Sequence, residues 1–259
     1  MYNENLILSK WNAEMYDRHS QDTRDVDFLL SVIGPPPKRV LEIACGSGRI
    51  LVPLAKAGYS AAGLDFDEAM LDRIAPRAEG LAGLSWRRAD VIADDWGTGF
   101  DVVLLAGNIL FNIVSGTDYE EAQRTLIEKA AGALVPGGGV YIDYGYFAHP
   151  EAVFRNPGER VIWEGSDSEG NTGRMSLIGS TYDPESRITQ FTRRFELTLR
   201  DGRTVRQDIP SRKHFASLEQ LREWLGSAGF SVEAEYGDFD RNPVGEATDR
   251  ALLWAKKQR

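Results

Sequence analysis

Two glycines and three carboxylates stand at spacings that chemistry can use. Glu42, Gly46 and Gly48 fall within the run Val40-Leu41-Glu42-Ile43-Ala44-Cys45-Gly46-Ser47-Gly48-Arg49-Ile50, Asp65 follows 19 positions after Gly46, and Asp90 closes a later alternating run. Glycines here let the main chain pass close to a ligand without a Cβ clash, and free N–H groups at the start of the next helix face the same space. A carboxylate roughly 20 positions on, at the end of the second strand, sits where it reaches the hydroxyls of a ribose through charge-assisted hydrogen bonds. The chemistry indicated is recognition of a ribose-bearing ligand. The G-x-G-x-x-G pattern of nicotinamide and flavin binders is broken, because Leu51 holds its third glycine position.

These residues need elements to position them. Val40–Ile43 reads as a buried strand, Gly46-Ser47-Gly48 as a tight turn and Ile50–Ala55 as a helix. Further strands follow at Ser60–Asp65, Leu84–Asp90 and Phe100–Ala106, the last apolar as a central parallel strand should be. Asp118 is placed to cap a helix with Ala122, Leu126, Ala130 and Leu134 on its buried stripe, which Pro136-Gly137-Gly138-Gly139 is expected to end before a fifth strand, Val140–Tyr144. Asp67 is read as a helix cap. Ahead of the first strand, Trp11, Met15 and Tyr16 have helical spacing, and Thr23 is read as the cap of a second run carrying Val26, Leu29, Leu30 and Ile33. Such a helix commonly lies over the open end of a doubly wound sheet, which makes Trp11, Tyr16 and Arg24 candidates to close a cofactor site.

From Val161 to Phe215 the pattern changes to strand-like runs joined by short turns at Gly170-Asn171, Asp183-Pro184 and Asp201-Gly202. Successive strands of this kind form an antiparallel sheet. Ser217-x-x-Gln220 then forms a capping box for a helix that Gly229 stops, and Phe230–Tyr236 and 250–256 supply the last strands. The expected fold is α/β: a doubly wound, mostly parallel seven-stranded Rossmann-like sheet with an inserted antiparallel β lid. The expected divisions are an N-terminal helical cap over the cofactor site (1–36), the Rossmann-like domain (37–148 and 216–259) and the lid or substrate region (149–215).

Composition narrows the partners. The 259 residues carry 39 acidic and 30 basic side chains, a net charge of -9. With no long basic run, that disfavours nucleic acid and anionic membranes. Cys45 is the single cysteine, so no intramolecular disulfide forms, and a reducing cytoplasm is the expected compartment. The first 20 residues mix charges with aromatics, unlike a signal peptide, and no apolar run approaches the ~20 residues that span a bilayer. His19, His149 and His214 are scattered, so no metal is expected.

The form Glu-x-x-Cys-Gly-x-Gly at residues 42–48, followed at these intervals by Asp65, Asp90 and Pro136-Gly137-Gly138, resembles the class I methyltransferases, which bind S-adenosylmethionine (SAM). The resemblance runs from 40 to 145. It implies SAM as cofactor, held around Glu42, Ala44, Cys45, Gly46 and Gly48. Asp65 would meet the ribose, Phe66 and Met70 the adenine, Asp90 the adenine amino group and the Val91 N–H the ring, with Ala106 where the methyl projects.

The insertion is similar to that of the small-molecule N-methyltransferases, of the glycine N-methyltransferase and aminosugar N,N-dimethyltransferase type. Leu105-Ala106-Gly107-Asn108 resembles the loop in which the glycine enzyme places a substrate-contacting asparagine, and Ile142-Asp143-Tyr144 and Gly237-Asp238-Phe239 resemble two of its strand ends. Glu14-Met15-Tyr16-Asp17-Arg18 resembles the opening of the aminosugar enzymes, where that tyrosine borders the active site. The resemblance therefore implies Tyr16, Asn108 and Tyr144 as catalytic positions, and Asn108, Asn112, Tyr144, Tyr146 and His214 as acceptor contacts. Two departures stand out. Gly145 replaces the arginine that grips an amino-acid carboxylate, and Asn112 replaces a histidine, so that position offers no general base. The implied reaction is in-line methyl transfer to a small-molecule amine. The alternatives are an O- or C-methyltransferase of natural-product metabolism and a non-catalytic SAM-binding module. The lid's open antiparallel edges are where a second copy would pair as a homo-oligomer.

Overall fold

In the computed structural model, which describes residues 4–116 and 118–258, strands with intervening helices occupy much of residues 39–144, and a run of four successive strands follows from residue 156. Elements are numbered along the chain, and the chain divides into two units.

The larger unit comprises Thr23–Ala148 and Ala216–Arg259. Its strands are β1 (Arg39–Ile43), β2 (Ser60–Asp65), β3 (Leu84–Arg88), β4 (Phe100–Leu105), β5 (Leu134–Tyr144), β10 (Phe230–Tyr236) and β11 (Ala251–Lys257), in the spatial order β10-β11-β5-β4-β1-β2-β3. β1 pairs in parallel with β2 on one side and β4 on the other, while β11 runs antiparallel to both β5 and β10. The strand order reverses direction between β1 and β4, the switch point outside which open α/β sheets bind ligands. Helices α2 (Arg24–Ile33), α3 (Leu51–Lys56), α6 (Tyr119–Ala133) and α8 (Leu218–Ser227) accompany this sheet, with short α4 (Glu68–Leu71) and α5 (Ile109–Asn112). Val40, Leu51, Leu54, Ile74 and Leu104 are fully buried at the centre of the core.

Local signals acted as read at three helix starts and differently at a fourth. Asp67 accepts from the Ala69 N–H, Asp118 from those of Glu120 and Glu121, and Ser217 and Gln220 form the capping box. Thr23, however, makes no side-chain cap bond. Its φ of -111° and ψ of 2° lie outside the extended conformation that aims a hydroxyl at the first turn, and its carbonyl takes the Val26 and Asp27 N–H groups instead. The Pro136–Gly139 stretch does not end α6: the helix stops at Ala133 and these residues already belong to β5. Gly139 is required there because a Cβ would lie 2.2 Å from the Trp254 ring.

The smaller unit comprises Met1–Asp22 and His149–Phe215. It contains α1 (Glu4–His19), α7 (Pro150–Phe154) and a meander of β6 (Asn156–Ser166), β7 (Thr172–Asp183), β8 (Ile188–Thr198) and β9 (Thr204–His214). Period-two alternation gives this sheet two unlike faces. One buries Met175, Phe195, Leu197 and Val205 against Leu8, Trp11 and Met15 of α1. The other carries ion pairs: Arg174 with Glu159 and Glu196, and Arg194 with Asp208. The structure thus divides residues 1–36: α1 belongs with the antiparallel sheet, and α2 with the parallel one. No helix among the described residues is long and apolar enough to cross a membrane.

Candidate active site

The glycine turn after β1 is built from left-handed backbone. Ala44, Gly46 and Gly48 have φ of 56°, 54° and 77°. A Cβ on Gly46 would meet nothing within 4 Å, so this glycine serves the conformation and leaves open space above it. Gly63 of β2 serves packing: a Cβ would lie 2.6 Å from Cys45 Sγ and Leu51 Cδ2. Cys45 is accordingly buried, and burial pushes its thiol far up, so its side chain packs beneath the turn as an inert group.

Asp65, at the end of β2, locks the turn to its own strand. Its Oδ2 accepts from the Gly46 N–H at 2.8 Å and its Oδ1 from the Asp67 N–H at 2.8 Å. Each oxygen keeps a further lone pair for a ligand diol. Burial raises its pKa, while the two N–H donors oppose the rise.

Beside it opens a cavity of about 530 Å³, within the usual range for a small ligand. Ala44, Asp65, Phe66, Asp90, Val91 and Ile92 line it together with Ile109 and residues 112–116. Phe66 is 63% exposed and has the Arg88 guanidinium 4.9 Å over its ring. Asp90 uses Oδ1 to take the Ile92 and Ala93 N–H groups, which shapes the loop after β3. That loop is held from behind: Trp96 Nε1 donates to Val91 O at 2.9 Å, and Lys129 Nζ to Ile92 O at 2.8 Å and Asp94 O at 2.6 Å. Neither Trp96 nor Lys129 stands in a recognisable motif, so sequence reasoning passes over both.

Behind the glycine turn lies a buried charge network. Arg49 grips Asp25 of α2 through two hydrogen bonds of 2.9 and 2.6 Å. Glu42 is 4% exposed, and its Oε2 has no hydrogen-bond partner among the described residues. Burial drives its pKa well up against the pull of Arg49. On β5, Asp143 takes both oxygens to Arg250 at 2.9 Å, and that guanidinium covers Phe239 at 4.4 Å. These pairs join residues far apart in the chain and have no local signature.

Asn108 adopts φ 61° at the start of α5. Its N–H donates to Asp143 O at 3.1 Å and its Oδ1 accepts from the Gly145 N–H at 3.0 Å. A Cβ on Gly145 would lie 2.8 Å from Asn108 Nδ2, so the asparagine and the glycine are a matched pair.

Of the expected site residues, Ala44, Asp65, Phe66, Asp90, Val91 and Asn112 meet around the one cavity. Gly46 shares it through Asp65, whereas Cys45 and Gly48 lie buried in the turn's underside, with Ile74 Cγ1 3.1 Å from where a Gly48 Cβ would stand. Met70 is half-buried on α4, Ala106 is buried after β4, Arg24 is exposed at the start of α2, Tyr144 is fully buried in β5, and Tyr146 donates its N–H to Asp249 O. Trp11, Tyr16 and His214 belong to the smaller unit. There Trp11 is fully buried and its indole N–H donates to Gly165 O at 3.2 Å, Tyr16 meets Trp163 edge-on, and His214 is 3% exposed at the end of β9.

Comparison with known proteins agrees with this geometry. Residues 40–138 match the family model described as "Methyltransferase domain". Over 224 residues, 85% of either chain, the sequence is 25% identical to a Geobacillus sp. (strain WCH70) protein that is also named a methyltransferase. The fold matches a SAM-dependent methyltransferase from Clostridium acetobutylicum at TM-score 0.72 and 16% identity, over 96% of this chain and 98% of that one. It also matches the sugar N-methyltransferase KedS8 from Streptoalloteichus sp. at TM-score 0.71 and 18% identity, over 94% and 91%. The open cradle at Gly46, the strand-end carboxylate of Asp65 and the adjoining cavity fit an adenosyl ligand with a ribose diol. That site, the seven-stranded order and the match over residues 40–138 mark a methyltransferase domain that takes S-adenosylmethionine.

Proposed function

We propose that this methyltransferase acts on an amine nitrogen of a small-molecule acceptor. When bound, SAM supplies an electrophilic methyl group on a sulfonium, open to direct displacement by an acceptor lone pair.

The chain's own part is mainly alignment and exclusion of water. Asp65 would hold the ribose hydroxyls, the 90–92 loop and Phe66 would flank the base, and the glycine turn would admit the ligand close to the main chain. The observation that carries the reading for nitrogen is the wall made by Ile109, Asn112, Ile113, Val114, Ser115 and Gly116. None of these side chains is a carboxylate, imidazole, amine or thiol. Among the described residues this wall offers no such proton acceptor, and the cavity's two carboxylates, Asp65 and Asp90, are engaged by main-chain N–H groups. An amine with a free lone pair needs none, and the apolar Ile109, Ile113 and Val114 favour its uncharged form. Asn108, through Nδ2, and Asn112 are the proposed donors that orient the acceptor, with Tyr144 and Tyr146 as further proposed contacts. Likeness to a sugar N-methyltransferase over nearly the whole chain supports the same reading.

The test is transfer of radiolabelled methyl from SAM, with a chelator present, to matched amine and alcohol acceptors such as glucosamine and glucose. Turnover of the amines, rising with pH as each ammonium deprotonates, is expected. Turnover confined to hydroxyl or carbon acceptors would overturn the assignment to nitrogen.

A further inference from the structure

The register of β8 against β9 places two cations on the largely apolar face that also carries Thr189, Gln207 and Ser211. Thr189 pairs with Lys213, Phe191 with Ser211, Arg193 with Ile209 and Leu197 with Val205. Directly paired residues share a face, and alternate residues return to it. Arg193, Ser211 and Lys213 therefore lie on the face that carries Leu197 and Val205, opposite the solvated ladder of Arg194, Glu196, Arg206 and Asp208. Lys213 is 5% exposed and Ser211 9%. Arg193 Nε donates to Ser211 Oγ at 3.1 Å, and no carboxylate among the described residues lies within ion-pair distance of that guanidinium. On the opposite face, by contrast, Arg174, Arg194 and Arg206 each reach a carboxylate.

Two positive charges set together on an apolar face disfavour each other. Burial and the Arg193 charge push the Lys213 ammonium down to about 8. Burial lowers Arg193 as well. An oxyanion between them would reverse the sign of that interaction, taking a planar two-donor fork from arginine, a point charge from lysine and a hydrogen bond from the serine hydroxyl. We propose that Arg193, Ser211 and Lys213 form a subsite in the smaller unit for a carboxylate or phosphate oxyanion. The group is carried by a free anion such as phosphate or a small carboxylate.

The experiment uses the full chain and three variants, Arg193→Gln, Lys213→Met and, on the opposite face, Arg194→Gln. Calorimetric titration with inorganic phosphate and with acetate is the measurement. Saturable binding that weakens about tenfold or more in Arg193→Gln and in Lys213→Met, and is unchanged in Arg194→Gln, is expected. Absence of saturable binding to the wild type, or equal binding in all variants, overturns the subsite. Circular dichroism and retained SAM binding show that a variant is folded, and Arg193→Lys and Lys213→Arg replace any variant that is not.

Discussion

The two units solve the problem of holding polar groups in opposite ways. In the larger one the site is made largely of main chain: the N–H groups of Gly46 and Asp67 fix Asp65, and left-handed backbone at Ala44, Gly46 and Gly48 opens the cradle. In the smaller one polar chemistry depends on side chains meeting across strands, as Arg174 meets Glu196 and Arg193 meets Ser211. A site of the first kind is set by strand ends and turn geometry. A site of the second kind is set by register, where a slip of one residue would exchange the two faces.

The largest effect expected from breaking this contrast lies in the smaller unit. Trp11→Ala removes a fully buried indole and its bond to Gly165 O, and should lower stability by about 3–5 kcal/mol in denaturant titration. Trp11→Phe, which keeps most of the packing, should bind SAM within about twofold of wild type. A large loss of SAM affinity in that milder variant would return Trp11 to the cofactor site.

Next comes Asp65→Ala. Loss of the two proposed charge-assisted hydrogen bonds to the ribose should weaken SAM and S-adenosylhomocysteine by about 100-fold in calorimetry, with the fold retained. Unchanged affinity would remove the basis for the glycine-turn site.

Two glycine substitutions sharpen the comparison directly. Gly63→Ala drives a methyl to within 2.6 Å of Cys45 and Leu51 beneath the turn, and Gly173→Ala drives one to 2.4 Å of Glu196 O in the antiparallel sheet. Each should cost about 1–3 kcal/mol of stability, read from thermal unfolding. Only Gly63→Ala should weaken SAM binding severalfold, because only there does the strain reach the cofactor turn.

The smallest effect is a pH dependence. Lys213 titrates at about 8 in the folded chain against an ordinary 10.5. Between those values the unfolded chain holds more protons than the native one, so this group makes stability rise with pH there, and its charge is a constant burden below about 8. Lys213→Met should therefore stabilise the protein by about 1–2 kcal/mol at pH 7 in buffer free of phosphate and carboxylate. The advantage should fade as pH is raised toward 10.5. A pH-independent difference would contradict the buried setting of the ammonium.

Much of the larger unit could be read from local pattern because its signals are local. The spacing from Gly46 to Asp65 is one crossover of a parallel sheet, and caps at Asp67, Asp118 and Ser217 act within three residues of themselves. The failure at Thr23 is equally local, since its backbone left the range a cap requires. Partners such as Asp143 and Arg250, 107 residues apart, left no trace in either neighbourhood. The same is true of Lys129, which supports the 90–96 loop from a helix whose own pattern shows only a buried stripe and a solvated face.

By itself the sequence determined the order of strands and helices, the glycine turn, the acidic strand ends and the change from parallel to antiparallel pattern after residue 148. Each of these follows from backbone conformation and hydrophobic period, which neighbouring residues decide. Only the tertiary structure decided that α1 packs on the antiparallel sheet, that Asn108 is matched to Gly145, that Arg49 holds Asp25, and that Arg193 and Lys213 share an apolar face. Those pairings depend on strand register and on burial shared by distant segments, and free energy of that kind exists only once the chain has closed on itself.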